Sequence, residues 1–214
     1  MQTLAVYALP VLFAITLHEA AHAYAAKYFG DSTAYLLGRM TLNPIKHVDP
    51  IGTLLLPIGL YLVGSPFLFG YAKPVPVEFG RLRNPKKQMV FVALAGPAAN
   101  LVMAFGWMIL IVLLSAAHLS QGFFMQMAQA GVLINLVLLA FNLFPVLPLD
   151  GGRILTGLLP MRYAVPFSKL ERYGFFIILA LLFLKLLQYW MVPIMGLANG
   201  LLQVLVYPLV FLLT

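Results

Sequence analysis

Apolar residues run along this chain in blocks too long for an ordinary core helix, and polar residues gather in the gaps between them. No charge interrupts Leu4 to Leu17, and the apolar character continues to Phe29, where Gly30 supplies a helix stop. A spanning helix needs about 20 apolar residues, so a first membrane helix is predicted over about Leu4–Phe29. A second is predicted over about Gln88–Ala116. A third runs over about Gln126–Phe141 and breaks near Pro145 and Pro148. Two more, about Tyr173–Tyr189 and Val192–Leu213, complete the chain. The stretch Ile51–Gly70 is also apolar, but Gly52, Pro57, Gly59, Gly64, Pro66 and Gly70 punctuate it. Breakers at that density oppose a straight helix. They predict a re-entrant hairpin or short β element, which is tolerated at membrane depth only against protein or a cavity. The expected fold is an all-α polytopic membrane protein with about five transmembrane helices plus that re-entrant element. It forms one membrane-embedded domain over 1–214, with a core over about 4–165 and a C-terminal helix pair over about 170–214.

Composition agrees. The 214 residues are 63% hydrophobic and 9% charged, against about a quarter charged in soluble domains. The alternating ten-residue pattern of a membrane β-barrel is absent. No basic segment precedes the first apolar block, so it does not read as a cleaved secretory signal. The net charge of +7 comes from loop clusters: Lys27, Arg39 and Lys46; Lys73, Arg81, Arg83, Lys86 and Lys87; Arg153, Arg162, Lys169 and Arg172. In a membrane protein such clusters report orientation and meet anionic headgroups. The expected partner is therefore the lipid bilayer and not nucleic acid. They predict a multi-pass protein with the N-terminus outside and the C-terminus in the cytoplasm, and the proline-rich composition fits the plasma membrane of a prokaryote.

One polar group interrupts the first apolar block: His18-Glu19-Ala20-Ala21-His22. On a helix, HExxH puts two imidazoles one turn apart on the same face with a glutamate beside them. Two such histidines can share a zinc ion while the glutamate handles protons. A carboxylate at membrane depth costs about 2.5–3.5 kcal/mol and is usually kept for function. The chain has no cysteine, so a zinc ion would take histidine nitrogen and carboxylate oxygen. A catalytic zinc ordinarily has three protein ligands, and only six acidic residues exist. Asp31, Asp49, Glu78 and Glu171 fall in polar loops or at helix ends. Asp150 follows a largely apolar stretch with two prolines and precedes Gly151-Gly152-Arg153. It could face a buried metal or pair with Arg153, and the residues alone leave both open.

The motifs taken together resemble the site-2 protease family of intramembrane zinc metalloproteases. HEAAH in a membrane helix is followed by Asn142-Leu143-Phe144-Pro145-Val146-Leu147-Pro148-Leu149-Asp150-Gly151-Gly152-Arg153, which matches the family's NxxPxxPLDGGR pattern. Gly96-Pro97-Ala98-Ala99-Asn100 is similar to its GxxxN signature, and Gly38–Gly52 and Ala72–Val77 resemble its intermediate segments. The resemblance covers about residues 10–165. It implies His18, His22 and Asp150 as ligands of one zinc and Glu19 as the catalytic acid/base. It also implies membrane proteins with a transmembrane helix as substrates, cleaved in regulated intramembrane proteolysis. No PDZ or CBS segment is present in these residues, so the minimal type is expected.

Other residues are less determined. Asn142 could make a helix-packing hydrogen bond or, as the resemblance suggests, donate to substrate backbone or a developing oxyanion. His47 could stand behind a ligand or face substrate. Gly96 and Asn100, spaced four apart, favour close helix contact. Ile51–Gly70 and Tyr71–Phe79 are strand-prone, and an exposed edge there could capture an unwound substrate segment. Two competing readings are a metal-ion transporter or channel, for which the chain shows no inverted repeat, and an inactive scaffold that binds helices.

Overall fold

The computed structural model describes residues 2–47, 49–55, 59, 62 and 73–213. Its helices are α1 (Gln2–Phe29), α2 (Thr33–Leu36), α3 (Pro85–Ala116), α4 (Phe123–Asn142), α5 (Asp150–Leu158), α6 (Met161–Ser168), α7 (Glu171–Phe183) and α8 (Gln188–Leu213). Among the described residues there is no strand. The predicted hairpin over Ile51–Gly70 lies mostly outside the described residues, beyond a turn of π-helix over Pro50–Leu55.

α1, α3, α4 and α8 are long and apolar enough to cross a bilayer. At 1.5 Å per residue, the 28 residues of α1 reach about 42 Å and the 32 of α3 about 48 Å. Both exceed a hydrocarbon core of about 30 Å. α1 ends where Gly30 takes φ +116°, and the Arg83 amide satisfies the freed Phe29 carbonyl at 3.0 Å. Pro85 opens α3, where a missing N–H costs nothing.

Five crossings were expected, and four are seen among the described residues. The predicted span Tyr173–Tyr189 is instead the 13-residue α7, about 20 Å long and too short to cross. The chain turns after it at Lys185, which has φ +57°. α8 then runs antiparallel to α4. Trp190 near its start donates to the Ala140 carbonyl near the end of α4, while Leu202 further on packs with Val132 and Leu136. Four alternating spans put both ends of the chain on one face, where five would separate them.

Helices associate here by close packing, since lipid offers apolar surface as good as a neighbour's. The buried stripe of α1 is correspondingly rich in small residues: Ala14, Thr16, Ala20, Ala23 and Ala26 lie there with Val6, Pro10, His18 and His22. Gly131 of α4 lies against Trp107 of α3 so closely that a Cβ would stand 2.3 Å from the indole. Large residues such as Phe13, Phe91, Val102 and Phe211 point outward, as a lipid-facing surface requires. α1, α3 and α4 thus form the core, and the start of α5 inserts beside them.

Candidate metal centre

His18 and His22 are buried on the core-facing side of α1, and Asp150 is buried at the first position of α5. Three atoms converge. The two Nε2 atoms lie 3.1 Å apart, and each is 3.3 Å from Asp150 Oδ2. A zinc ion with ligands at about 2.0–2.1 Å in a tetrahedron has ligand–ligand edges of about 3.3–3.4 Å. The observed triangle has that size.

Protons settle what the triangle can hold. His22 Nδ1 is 2.8 Å from the Val92 carbonyl oxygen. A carbonyl only accepts, so Nδ1 carries a hydrogen, and in the neutral imidazole Nε2 then keeps its lone pair. His18 Nδ1 donates in the same way to Asn100 Oδ1 at 2.6 Å. Asp150 Oδ2 is buried and has no hydrogen-bond donor. With both imidazoles neutral, three lone-pair atoms face one another, an arrangement that is costly unless a cation lies among them. The donor set suits zinc. Among the described residues this is the one group of three or more such side chains able to hold a metal.

The sequence builds this closeness from glycines. A Cβ on Gly96 would stand 2.3 Å from His22 Nε2 and 2.7 Å from His18 Nε2. Sequence reasoning assigned Gly96 to helix packing; its position also clears space for the two Nε2 atoms. Gly151 and Gly152 let the start of α5 press on the preceding loop, since Cβ atoms there would lie 2.2 Å from the Leu143 oxygen and 2.4 Å from the Leu147 nitrogen. The loop over 143–149 thereby delivers Asp150 to α1. The alternative pairing of Asp150 with Arg153 is not formed, because Arg153 bonds Glu171 at 3.2 Å and lies over the Phe79 ring.

Glu19 is half-buried beside the triangle, and its Oε2 accepts the Val75 amide at 2.7 Å. Val75 belongs to an extended strap over 73–78 that is tied down at both ends. At one end Arg39 donates to the Lys73 carbonyl at 2.9 Å, and the Lys73 amide donates to the His47 carbonyl at 2.9 Å. At the other, Asp31 Oδ2 accepts the Glu78 amide at 2.7 Å, while its Oδ1 accepts both the amide and hydroxyl of Thr33. Burial pushes the Asp31 carboxyl up, but these donors and Arg81 outweigh it and hold the group below its ordinary value. The described part of Tyr71–Phe79 forms no strand, and its Lys73, Val75 and Glu78 amides are taken by His47, Glu19 and Asp31. Pro74 and Pro76 have no amide to offer, and Val75's amide is already bound to Glu19.

A cavity of about 520 Å³ opens beside the centre. Its polar lining is His18, Glu19, His22, Asn142, Asp150 and Arg153; Val75, Phe141, Phe175, Ile178 and Leu182 contribute apolar walls. α7, too short to span, forms one of these walls and is seated by Gly174 against the Leu147 carbonyl. Asn142 lies on the cavity, with Nδ2 donating to the Leu138 carbonyl at 3.0 Å. His47 is buried but does not line the cavity; its Nε2 bonds the Thr41 carbonyl and its own carbonyl anchors the strap. Sequence reasoning missed Asn135, whose amide is fully buried next to Asn100. The available signal was an amide in the middle of an apolar helix.

A multi-span helical protein with a zinc-compatible centre beside a carboxylate has the architecture of a membrane metallopeptidase, and comparison with known proteins agrees. The model of peptidase family M50 matches residues 116–185. The Bacillus subtilis protein "Putative zinc metalloprotease YwhC" is 41% identical over 192 residues, covering 87% of this chain and 84% of its own length. "Putative zinc metalloprotease Rip2" of Mycolicibacterium smegmatis is 32% identical over 182 residues, covering 84% of this chain and 67% of its own length. Rip2 of Mycobacterium tuberculosis is 33% identical over 144 residues, covering 65% of this chain and 52% of its own length. No solved structure matches significantly. The chain belongs to peptidase family M50, as the resemblance to the site-2 proteases implied, and is a multi-pass membrane metalloprotease whose metal is zinc.

Proposed function

We propose that this protein is an intramembrane endopeptidase of the site-2 type. It hydrolyses peptide bonds within or near transmembrane segments of membrane-protein substrates, as a step of regulated intramembrane proteolysis. Residues 1–214 act as one membrane-embedded domain. One observation carries the reading: two imidazoles of α1, a helix long and apolar enough to cross a membrane, converge with Asp150 of α5 at zinc spacing next to Glu19.

His18, His22 and Asp150 hold the metal, with one imidazole oriented by a carbonyl and the other by an amide. Held by these three residues, zinc would supply a Lewis acid able to acidify water and polarise a scissile carbonyl. Glu19 takes the proton from the attacking water and returns it to the leaving amine. Asn142 spends one amide hydrogen on Leu138 and keeps a second to donate to substrate backbone or oxyanion. The cavity's apolar walls suit an unwound membrane segment, and its polar edge admits water. The site opens toward the cytoplasm of a prokaryotic cell. Lys27 lies five residues beyond His22, about 8 Å of helix, and the other basic loops share that end of the bundle.

The test has two parts. Purified wild-type protein should bind one zinc per chain, and Asp150→Ala and His22→Ala should lose it. Glu19→Gln should keep the zinc and abolish cleavage of a single-span test substrate in proteoliposomes. Zinc retained without Asp150 breaks the ligand assignment, and normal cleavage by Glu19→Gln breaks the role of the glutamate.

A further inference from the structure

We infer that Asn135 is a positioning residue for the metal centre: acting through Asn100, it fixes which nitrogen of His18 is free to bind metal. The inference rests on the three-ligand zinc site proposed above.

The two histidines are oriented by different means. His22 Nδ1 faces the Val92 carbonyl, which can only accept. His18 Nδ1 faces an amide side chain, and an amide has two ends of nearly equal shape. With its oxygen toward His18, Asn100 draws the hydrogen to Nδ1 and leaves Nε2 bare. With its nitrogen toward His18 it would donate instead. Nδ1 would then carry the lone pair and Nε2 the hydrogen, which blocks a ligand position. Something must set the amide's direction.

The direction can be traced to the backbone. Asn135 Nδ2 donates to the Gly131 carbonyl one turn back at 2.8 Å. That carbonyl only accepts, so Asn135 Oδ1 must face Asn100. Asn100 Nδ2 then donates to it at 3.0 Å, with a longer contact of 3.4 Å to the Ala14 carbonyl. Asn100 Oδ1 is left to face His18. A single directed chain runs from a peptide carbonyl of α4, through two asparagines, to the imidazole of α1. Both asparagines are fully buried, so water cannot substitute for either partner. Gly131 has a second part in this: without a Cβ it lets Trp107 lie against α4, which brings Asn135 within reach of α3.

The inference separates cleanly from simple packing. A carboxylate at position 100 accepts through either oxygen and needs no orienting partner. The experiment measures zinc affinity by chelator competition on purified wild type, Asn135→Leu, Asn100→Asp and the double variant, with the thermal midpoint of each metal-free protein alongside. Partners standing behind metal ligands typically govern about 10–100-fold of metal affinity. Asn135→Leu should weaken zinc binding about tenfold or more when Asn100 is intact, and less than about twofold when it is combined with Asn100→Asp. Equal loss in both backgrounds, or no loss in either, overturns the inference. Should Asn100→Asp fail to fold, Asn135→Asp serves instead. As a neutral acid it donates to Gly131 and accepts from Asn100, so it should bind zinc within a few-fold of wild type while Asn135→Leu does not. Equal loss in these two again overturns it. Absence of zinc from the wild type would count against the metal site itself and not against this chain of bonds.

Discussion

Replacing Gly96 by alanine adds one methyl group where α3 passes the metal centre. The added carbon would stand 2.3 Å from His22 Nε2, 2.5 Å from His18 Cε1 and 2.7 Å from His18 Nε2, where ordinary contact is 3.4–4 Å. Each ring would have to recede by about 1 Å, against metal–ligand tolerances of about 0.2 Å. Neither ring is free to do so, because Val92 and Asn100 grip their Nδ1 atoms. Overpacking of this kind costs about 1–3 kcal/mol, which corresponds to zinc binding weaker by about 5- to 150-fold. Chelator competition on purified protein measures this directly, and peptidase activity at limiting zinc should fall in parallel. Gly106→Ala on the same helix is the control. A Cβ there meets nothing within 4 Å, so that variant should keep its zinc and gain up to about 1 kcal/mol from helix propensity. Wild-type zinc affinity in Gly96→Ala would refute the reasoning.

Two further outcomes follow from the strap and its anchors. Val75→Pro removes the amide that Glu19 accepts and should lower kcat at least several-fold while leaving zinc stoichiometry at one per chain; loss of zinc instead would mean that the strap supports the ligands. Asp31 ties the strap to the end of α1 with its carboxyl held below the ordinary value of 3.8. The stabilisation is thus present above about pH 3.8 and fades as pH falls through the lower folded value. Asp31→Asn should cost about 1–3 kcal/mol near neutral pH and flatten the acid limb of a stability–pH profile. An unchanged acid limb would assign that limb to other carboxylates.

The histidine pair was legible in the chain because its spacing is local, while the residues alone left Asp150 open and only the family resemblance tied it to the pair. HExxH needs only a helix to bring two imidazoles together, and the NxxPxxPLDGGR stretch carries its own loop geometry to Asp150. Span length was harder to read: apolar character continues from Tyr173 to Tyr189, but the helix stops at Phe183 and the chain turns at Lys185, a backbone event without a strong residue signal. The orienting bonds were not legible at all. Asn135 lies 117 positions after His18 in the numbering, and only packing of α4 on α3 makes the two part of one network. Similarly, Val75 reads as part of a strand-prone segment until the fold lays its amide on Glu19.

Val92, Gly96 and Asn100 recur every four residues along α3, opposite His22 and His18 four residues apart on the antiparallel α1. Two apolar helices in a bilayer have little to fix their axial offset, since one greasy ridge slides over another at small cost. Here the offset is gauged like a vernier. A slip of one turn, about 5.4 Å, would bring Val92 or Asn100 to the position of Gly96 and drive a side chain into the imidazoles. The imidazole pair thus indexes α1 and α3 along their axes, since its fit against Gly96 is met only when the two helices dock in register.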